Sequence, residues 1–431
     1  MQDARTNEAA TADSAGRRAE AARPDPRDPE AIVAALTRPP FPVDPYPLYA
    51  ALREAAPIFR SEDGFWYATS YAAAEAVFRD PALGQGRGRE SRIRSDPRYA
   101  DSPTLQTLGH MLPFLDPPDH TRLRHLIARA FTPRAVERMR AYLERRVDGL
   151  LDELAERGRG ELMHDLADHV PVAVICEMLG APGDRHADLV AWADRLVAAV
   201  HSTVTDAELA WADEGARLFR EYVGGLIEAR RREPQDDLLT ALVQAESEDD
   251  ALDAQELLST ACVFIGAGIE NTKHFIGSGL AWLIRERDAA DRARRDPKAL
   301  ARALEEVLRL EPPVQIAIPR IALADTEVAG AKIRKGERLC AVMAAANRDP
   351  VAFPSPDVFD PDRVGPPNLS LAMGTHFCTG AGLARLEAQV VVGRFLARFP
   401  NARLLVDPPP FRDEIRPTLR GHATVEVELG L

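Results

Sequence analysis

Cys378 is the residue of this chain most clearly placed for chemistry. It stands in the segment Leu371-Ala-Met-Gly374-Thr-His376-Phe-Cys378-Thr-Gly380-Ala-Gly382-Leu383-Ala384-Arg385. From Leu383 to Phe399, apolar and charged residues then recur at helical spacing. The thiol thus sits at a loop-to-helix junction, where the free N–H groups of the first turn and the helix dipole favour an anionic sulfur. A cysteine so placed is expected to have a lowered pKa and to ligate a metal well. Gly374 and Gly380, lacking Cβ atoms, let the backbone turn through positive φ and lie flat against a large planar ligand. His376 adds a cation or a donor on the same rim. A buried small hydrophobe, the usual fate of a lone intracellular cysteine, would leave the glycines, the histidine and Leu383-Ala384-Arg385 without a role.

Three further clusters carry chemistry. The run Phe264-Ile-Gly266-Ala267-Gly268-Ile-Glu270-Asn271-Thr272 interrupts an apolar helical stretch. Its small residues strip bulk from one helix face and leave room for a ligand, and glycines allow a local distortion. Glu270, an acid in an apolar setting, is suited to relaying protons; the competing reading pairs it with Lys273 or His274 on the helix surface. In Glu306-Val-Leu-Arg309, positions three apart share a helix face and can pair directly, as many surface pairs do. In Asp116-Pro-Pro-Asp-His120-Thr-Arg-Leu-Arg124, His120 and Arg124 lie four apart, a spacing that grips a carboxylate or simply makes a solvated basic face.

The elements that must position these groups are mostly helices. Periodicity and punctuation predict helices over Tyr46–Ala56, Tyr71–Arg79, His120–Ala130, Arg134–Glu156, Leu166–Leu179, Ala187–His201, Asp206–Arg231, Ala254–Arg287, Pro297–Leu310 and Gly382–Phe399. Short strands are expected at Phe65–Thr69, Arg320–Val328, Glu337–Val342 and His422–Val427. Residues 1–28, rich in Ala, Arg, Asp and Glu and closed by Pro24, Pro26 and Pro29, read as a disordered tail before one domain over 29–431.

Together these motifs resemble the cytochrome P450 family, over nearly the whole chain after the tail. The Cys378 segment is similar to the family's haem-ligand loop, Phe-Gly-x-Gly-x-His-x-Cys-x-Gly-x-x-Leu-Ala-Arg. Leu371 stands at the phenylalanine and Ala372 at the first glycine, a change that bears on thiolate hydrogen bonding and redox potential. The resemblance implies a mainly α, single-domain fold with a small β part. Haem b would lie between the long central helix and the Cys loop with its C-terminal helix, with Cys378 as axial thiolate. It also implies that His120, Arg124 and Arg320 of Ala317-Ile-Pro-Arg320 hold the haem propionates. With His376, four basic groups from three distant segments would then converge. Glu306 and Arg309 would join Arg363 of Phe359-Asp-Pro361-Asp-Arg363 in the family's buried Glu-Arg-Arg cluster.

The interrupted helix is similar to Ala-Gly-x-Glu/Asp-Thr-Thr, the family's oxygen-activating segment. Ala267, Gly268, Glu270, Asn271 and Thr272 become the candidate catalytic set. Asn271 stands where the first threonine's hydroxyl helps deliver protons; an amide holds a water but does not shuttle a proton as a hydroxyl does. Three explanations are open: Asn271 anchors a relay water, Thr272 or a substrate hydroxyl substitutes, or the reaction is not a simple hydroxylation.

By resemblance, the chain is a monooxygenase that inserts one atom of O2 into a C–H bond or alkene while tailoring a specialised metabolite. No flavin or nicotinamide fingerprint follows a strand, so electrons come from outside, from a ferredoxin and its reductase. Such a partner would dock near Cys378, where Arg122, Arg129 and Arg134 offer either a basic patch or merely solvated arginines. One alternative is an oxidase of the same fold that couples radicals or oxidises heteroatoms, supported by Asn271. Another is a non-catalytic haem sensor or carrier, disfavoured by the acid-bearing, glycine-opened helix. A protein without haem would require all three motifs to be accidental.

The 431 residues are 45% hydrophobic and 28% charged, enough for a large buried core. Cys176, Cys262, Cys340 and Cys378 are scattered without C-x-x-C or zinc spacing, which points to free thiols in a reducing compartment. No apolar run approaches a membrane span, and Arg17-Arg18 lacks the apolar segment of an export signal. A soluble, cytoplasmic monomer is expected, and the formal net charge of -13 argues against nucleic acid as a partner. Pocket walls are expected, by resemblance, from the loop between Ala82 and His110, from Ala187–Arg231, from Ile265–Thr272 and from Val314–Ile318. Arg87, Arg89, Arg92, Arg94 and Arg98 of that loop make either a polar lid or a grip for an anionic or carrier-bound substrate. Lys273 and His274 lean toward a polar ligand.

Overall fold

The computed structural model describes residues 25, 27–39, 41–86, 91, 93–199, 204–247, 250–412 and 418–431. The tail expected over 1–28 falls almost wholly outside them, although Asp28 caps the first helix by accepting from the N–H groups of Glu30 and Ala31.

Sixteen α-helices are described: α1 Pro29–Thr37, α2 Tyr46–Ala55, α3 Tyr71–Arg79, α4 Pro103–Gly109, α5 Asp119–Ala130, α6 Pro133–Arg138, α7 Arg140–Arg157 and α8 His169–Met178 in the first half. They continue as α9 His186–Ala198, α10 Asp206–Arg232, α11 Leu238–Val243, α12 Ala254–Arg285, α13 Arg287–Arg295, α14 Pro297–Leu310, α15 Met343–Ala346 and α16 Ala381–Arg398. Helix α12 is the axis of the molecule. A reciprocal cap starts it, with Asp253 accepting from the N–H of Glu256 and Glu256 accepting from that of Asp253. Its apolar residues Leu257, Ala261, Ile265, Ile276, Leu280 and Leu283 are almost fully buried, and it packs against α8, α14 and α16. A helix apolar on most sides belongs in a core, which is where α12 lies.

The β part is small. Strands β1 Ile58–Arg60, β2 Phe65–Ala68, β3 Leu83–Gly84, β7 Arg320–Ala322 and β10 Arg338–Ala341 make one sheet in the order β1-β2-β10-β7-β3. Strand β2 runs parallel to β10 with Tyr67 opposite Cys340, and the remaining pairs are antiparallel. Three further strands, β4 Arg159–Glu161, β11 Arg403–Leu404 and β12 Glu426–Glu428, form a second sheet. Two hairpins complete the set, β5 Glu246–Ser247 with β6 Asp250–Ala251, and β8 Thr326–Val328 with β9 Ala331–Ile333.

The structure corrects several expected boundaries. The helix expected over Arg134–Glu156 divides at Met139 into α6 and α7. The one expected over Leu166–Leu179 is a π turn, Met163–Ala167, followed by α8. Pro171 explains that break: without an N–H it cannot bond the carbonyl of Ala167. The strand expected over Arg320–Val328 splits into β7 and β8, and β8 turns into β9 through Ala329 and Gly330, both at positive φ. Such a two-residue turn suits the twist of a hairpin. Of His422–Val427 only the end is strand; His422 makes a lone bridge to Phe411. Among the described residues, no helix is long and apolar enough to cross a membrane.

Candidate functional site

A cavity of about 310 Å³ opens between α12 and the Cys378 loop with α16. Cys378 reaches it at the end of a tight turn in which its N–H donates to the carbonyl of Leu371 at 2.9 Å. Within the turn Gly374 has φ 63° and a Cβ there would meet the carbonyl oxygen of Phe78 at 2.7 Å, so only glycine fits. Gly380 has φ -81°, so the expectation that it needs positive φ is corrected. Its N–H, with that of Ala381, instead lies within hydrogen-bonding reach of the sulfur. Ala372, at the family's glycine position, holds φ 57° despite its Cβ, a left-handed conformation that costs an L-residue about 1–2 kcal/mol.

The thiol itself departs from expectation. Burial pushes the Cys378 pKa up, and the N–H groups of Gly380 and Ala381 with Arg385 and Arg124 offset this only in part. Among protein groups alone, desolvation outweighs the helix end. A cation bound at the sulfur reverses that balance.

Four basic groups converge on one rim of the cavity: His120 and Arg124 from α5, Arg320 from β7 and His376 from the Cys loop. The imidazoles of His120 and His376 lie 4.2 Å apart between centroids. Neither ring nitrogen of buried His120 has a partner. Arg320 is buried, and desolvation lowers its pKa to about 10 against the pull of Asp116. Asp116 also accepts from the backbone N–H groups of Gln85 and Gly86, which orient its carboxylate. Desolvation and the neighbouring cations hold His120 near a pKa of about 4 and His376 near about 2, so His376 is a neutral donor here rather than a cation. A basic cluster with His120 and Arg320 buried and His120 unpartnered, sharing one cavity with a cysteine, fits a haem with two propionates.

The opposite wall is one face of α12: Val263, Phe264, Ala267, Gly268, Asn271, Thr272 and Phe275. Their spacing of three and four residues puts them on one stripe. Asn271 donates from Nδ2 to the carbonyl of Ala267 at 3.1 Å. Gly268 serves packing as much as ligand space, since a Cβ there would press on Ile175 at 3.2 Å. Glu270 is not among the residues that line the cavity. Lys273 pairs with Asp168 at 3.5 Å, and His274 is buried beneath Gly421, so neither speaks for a polar ligand.

Most of the remaining lining is apolar, with Phe78, Leu112, Phe131 and Ile175 joining Val314, Ala317 and Ile318. Phe131 stacks on Phe264 at 5.4 Å. Among the described residues, Ala187–Arg231 contributes nothing to the wall and the loop between Ala82 and His110 contributes only Gln85, which corrects the expected list. Arg94 is spent on the carbonyl of Gly109, and Arg98 on Asp96, Asp206 and the carbonyl of Val204. Arg87, Arg89 and Arg92 lie outside the described residues. Sequence reading missed Glu387, a buried acid whose Oε2 has no partner and whose pKa burial raises well above the ordinary value. Its signal was legible, because Leu383, Glu387 and Val391 recur every four residues on the buried face of α16.

Beyond the loop, Arg309 clasps Glu306 through two hydrogen bonds of 2.8 Å, and Arg363 reaches the same carboxylate at 3.1 Å. The three groups expected to cluster do so. A wider cleft of about 600 Å³ lies on this side, but its arginines are already engaged: Arg302 with Asp362, Arg363 with Glu306, Arg385 with Glu305 and Arg79 with Glu75. Of the expected docking patch, Arg129 and Arg134 are exposed, while Arg122 pairs with Glu256 at the start of α12.

Comparison with known proteins agrees with this geometry. The family model described as Cytochrome P450 matches residues 69–415. The cytochrome P450 monooxygenase PikC of Streptomyces venezuelae is 37% identical over 391 residues, covering 88% of this chain and 90% of that protein. The vitamin D(3) 25-hydroxylase of Pseudonocardia autotrophica is 36% identical over 393 residues, covering 90% and 94%. The crystal structure of epothilone D-bound cytochrome P450epoK superposes with a TM-score of 0.80 at 31% identity, covering 94% of this chain and 99% of that one.

Proposed function

Because this chain belongs to the cytochrome P450 family and is an enzyme of its monooxygenase type, we propose that it inserts one atom of O2 into a neutral, largely apolar small molecule. The observation that carries the proposal is the lining: between Cys378 and the α12 face stand Phe131, Ile175, Val263, Phe264, Val314 and Ile318, and neither Arg94 nor Arg98, the loop arginines among the described residues, joins them. An anionic substrate would need a cation there. The two arginines that line the cavity among the described residues, Arg124 and Arg320, belong to the propionate rim.

Cys378 would hold haem b, with His120, Arg124, Arg320 and His376 available to its propionates, and the group would supply the one-electron and O2 chemistry. The protein's own part is positioning. Gly374 and the Leu371 carbonyl fix the sulfur, and the Glu306–Arg309–Arg363 cluster locks the segment beneath it. The aromatic wall of Phe131 and Phe264 excludes water around the reacting bond. Thr272, on the cavity face, carries the hydroxyl best placed to pass a proton now that position 271 is an amide. Electrons come from an external ferredoxin and its reductase in the cytoplasm, with Arg129 and Arg134 exposed for an acidic partner.

The test is a Soret titration of the ferric holoenzyme with matched neutral and anionic compounds, followed by turnover under heavy-oxygen gas. Neutral ligands should displace the iron-bound water, and product should gain one labelled atom. A response confined to anions would overturn the substrate class. Product without label would favour oxidative coupling, the reading that Asn271, fixed on Ala267, keeps in play.

A further inference from the structure

The substrate end of the cavity holds few polar atoms, and their bonding states narrow the ligand. Among the described residues, the polar lining away from the basic rim comprises Gln85, Asn271, Thr272 and Ser370, with Thr379 beside Cys378 and the buried acid Glu387 on α16, in the wall opposite α12. Ser370 is spent, donating to the carbonyl of Leu308 at 2.6 Å and accepting from Asn347 at 2.9 Å. Gln85 donates to the carbonyl of Pro319 at 3.4 Å, beside Arg320, which places it with the rim. Thr272 carries a hydroxyl that both donates and accepts.

Asn271 differs from all of these. The atom of its amide that lies 3.1 Å from the Ala267 carbonyl oxygen must be nitrogen, because two oxygens would repel. That bond fixes the amide's orientation and leaves Oδ1 as an acceptor, with no hydrogen bond to it among the described residues. An acceptor in an apolar wall is costly to desolvate unless the ligand brings a donor.

We propose that Asn271 Oδ1 is a fixed acceptor for a substrate donor, so that the enzyme selects neutral molecules carrying a hydroxyl or N–H close to the bond it oxidises. The proposal rests on the haem-thiolate reading of the site and adds the substrate class to it. It also gives the amide a purpose a threonine would not serve as strictly: a hydroxyl rotates to suit either partner, whereas this amide, fixed through one N–H, holds its carbonyl oxygen and its second N–H in set directions.

The experiment measures dissociation constants by Soret shift, with no turnover, for two matched series: testosterone, its 17-methyl ether and androstenedione; and menthol, its methyl ether and menthone. The ferric holoenzyme and its Asn271→Leu and Asn271→Thr variants are compared. In the wild type the alcohol should bind roughly 2- to 10-fold tighter than its ether and ketone, the range of one net hydrogen bond. Asn271→Leu should abolish that preference without weakening the ethers, whose binding no longer strands an acceptor, while Asn271→Thr should keep part of it. Alcohols that bind no better than ethers, alcohols that do not bind at all, or a preference that survives in Asn271→Leu would each overturn the proposal. A wild type whose reduced carbon monoxide complex lacks the thiolate-haem spectrum would instead overturn the reading of the site.

Discussion

Arg309 forks onto Glu306 with Nε and Nη2 each 2.8 Å from a carboxylate oxygen, and both side chains are almost fully buried. Arg363 and the N–H of Asp360 share one of the same oxygens, at 3.1 and 3.0 Å. The arginines spend their other N–H groups on the carbonyls of Asn347, Pro354, Pro356 and Val358. The cluster thus staples the irregular 347–363 segment to α14.

Removing the shared anion should therefore cost far more than removing a surface pair. Glu306→Ala strands two buried guanidinium groups and is expected to destabilise the protein by about 3–5 kcal/mol. Urea unfolding followed by helical circular dichroism measures it. A loss below about 1 kcal/mol, the range of exposed pairs, would show that the cluster is not a lock.

Ala372 carries a removable strain. Its φ of 57° is left-handed, where a Cβ is disfavoured. Ala372→Gly should relieve this while adding freedom to the unfolded chain, for a net gain of about 0.5–1 kcal/mol. Thermal unfolding of the two proteins, loaded to the same haem content, decides it; a lower midpoint in the variant would contradict the strain.

Two buried histidines set an acid limit. Gly421 sits so tightly on His274 that a Cβ would meet Nδ1, and neither ring nitrogen of His274 has a partner. Desolvation first, then Lys273, Arg412 and His422, hold the His274 pKa at about 3; desolvation likewise holds His422 at about 4. Both folded values lie below the unfolded value of about 6.5, so the unfolded chain binds more protons and stability falls as pH drops from about 6.5 toward 3. Each group adds a slope of up to about 1.4 kcal/mol per pH unit in that window. His274→Phe should flatten the decline measured by urea unfolding between pH 6.5 and 5, and an unchanged slope would count against it.

Glu387 acts in the opposite direction. Burial raises its pKa well above the ordinary value, so its contribution is intact in acid and is lost as pH rises toward the folded value. Glu387→Gln should therefore gain stability relative to the wild type as pH rises from 5 to 9. The infrared band of a protonated carboxyl should persist in the wild type to higher pH than for an exposed glutamate, and should vanish in the variant. A band absent from the wild type would mean that the acid is ionised in its cavity.

Much of this protein was legible locally. The turn at Cys378 and the pairing of Glu306 with Arg309 depend on residues a few positions apart, and helical spacing dictates their geometry. So do α3 and α14, whose limits follow from Ser70, Asp296 and the prolines around them. The pKa of Cys378 went the other way, because desolvation comes from the whole surrounding structure and outweighs the local helix end. The loop arginines misled for a related reason. Composition shows five cations, but whether Arg94 meets a ligand or the carbonyl of Gly109 depends on which chain folds beside it.

What the sequence determined by itself was the ligand loop, the helical stripe that faces it and the acid–arginine pair, since each is written within about two turns of chain. What only tertiary structure decided was convergence. His120 meets His376, Phe131 meets Phe264, and Arg363 finds Glu306 across long stretches of chain. Such contacts are selected by burial of the entire core, a collective free energy to which no single segment holds the key.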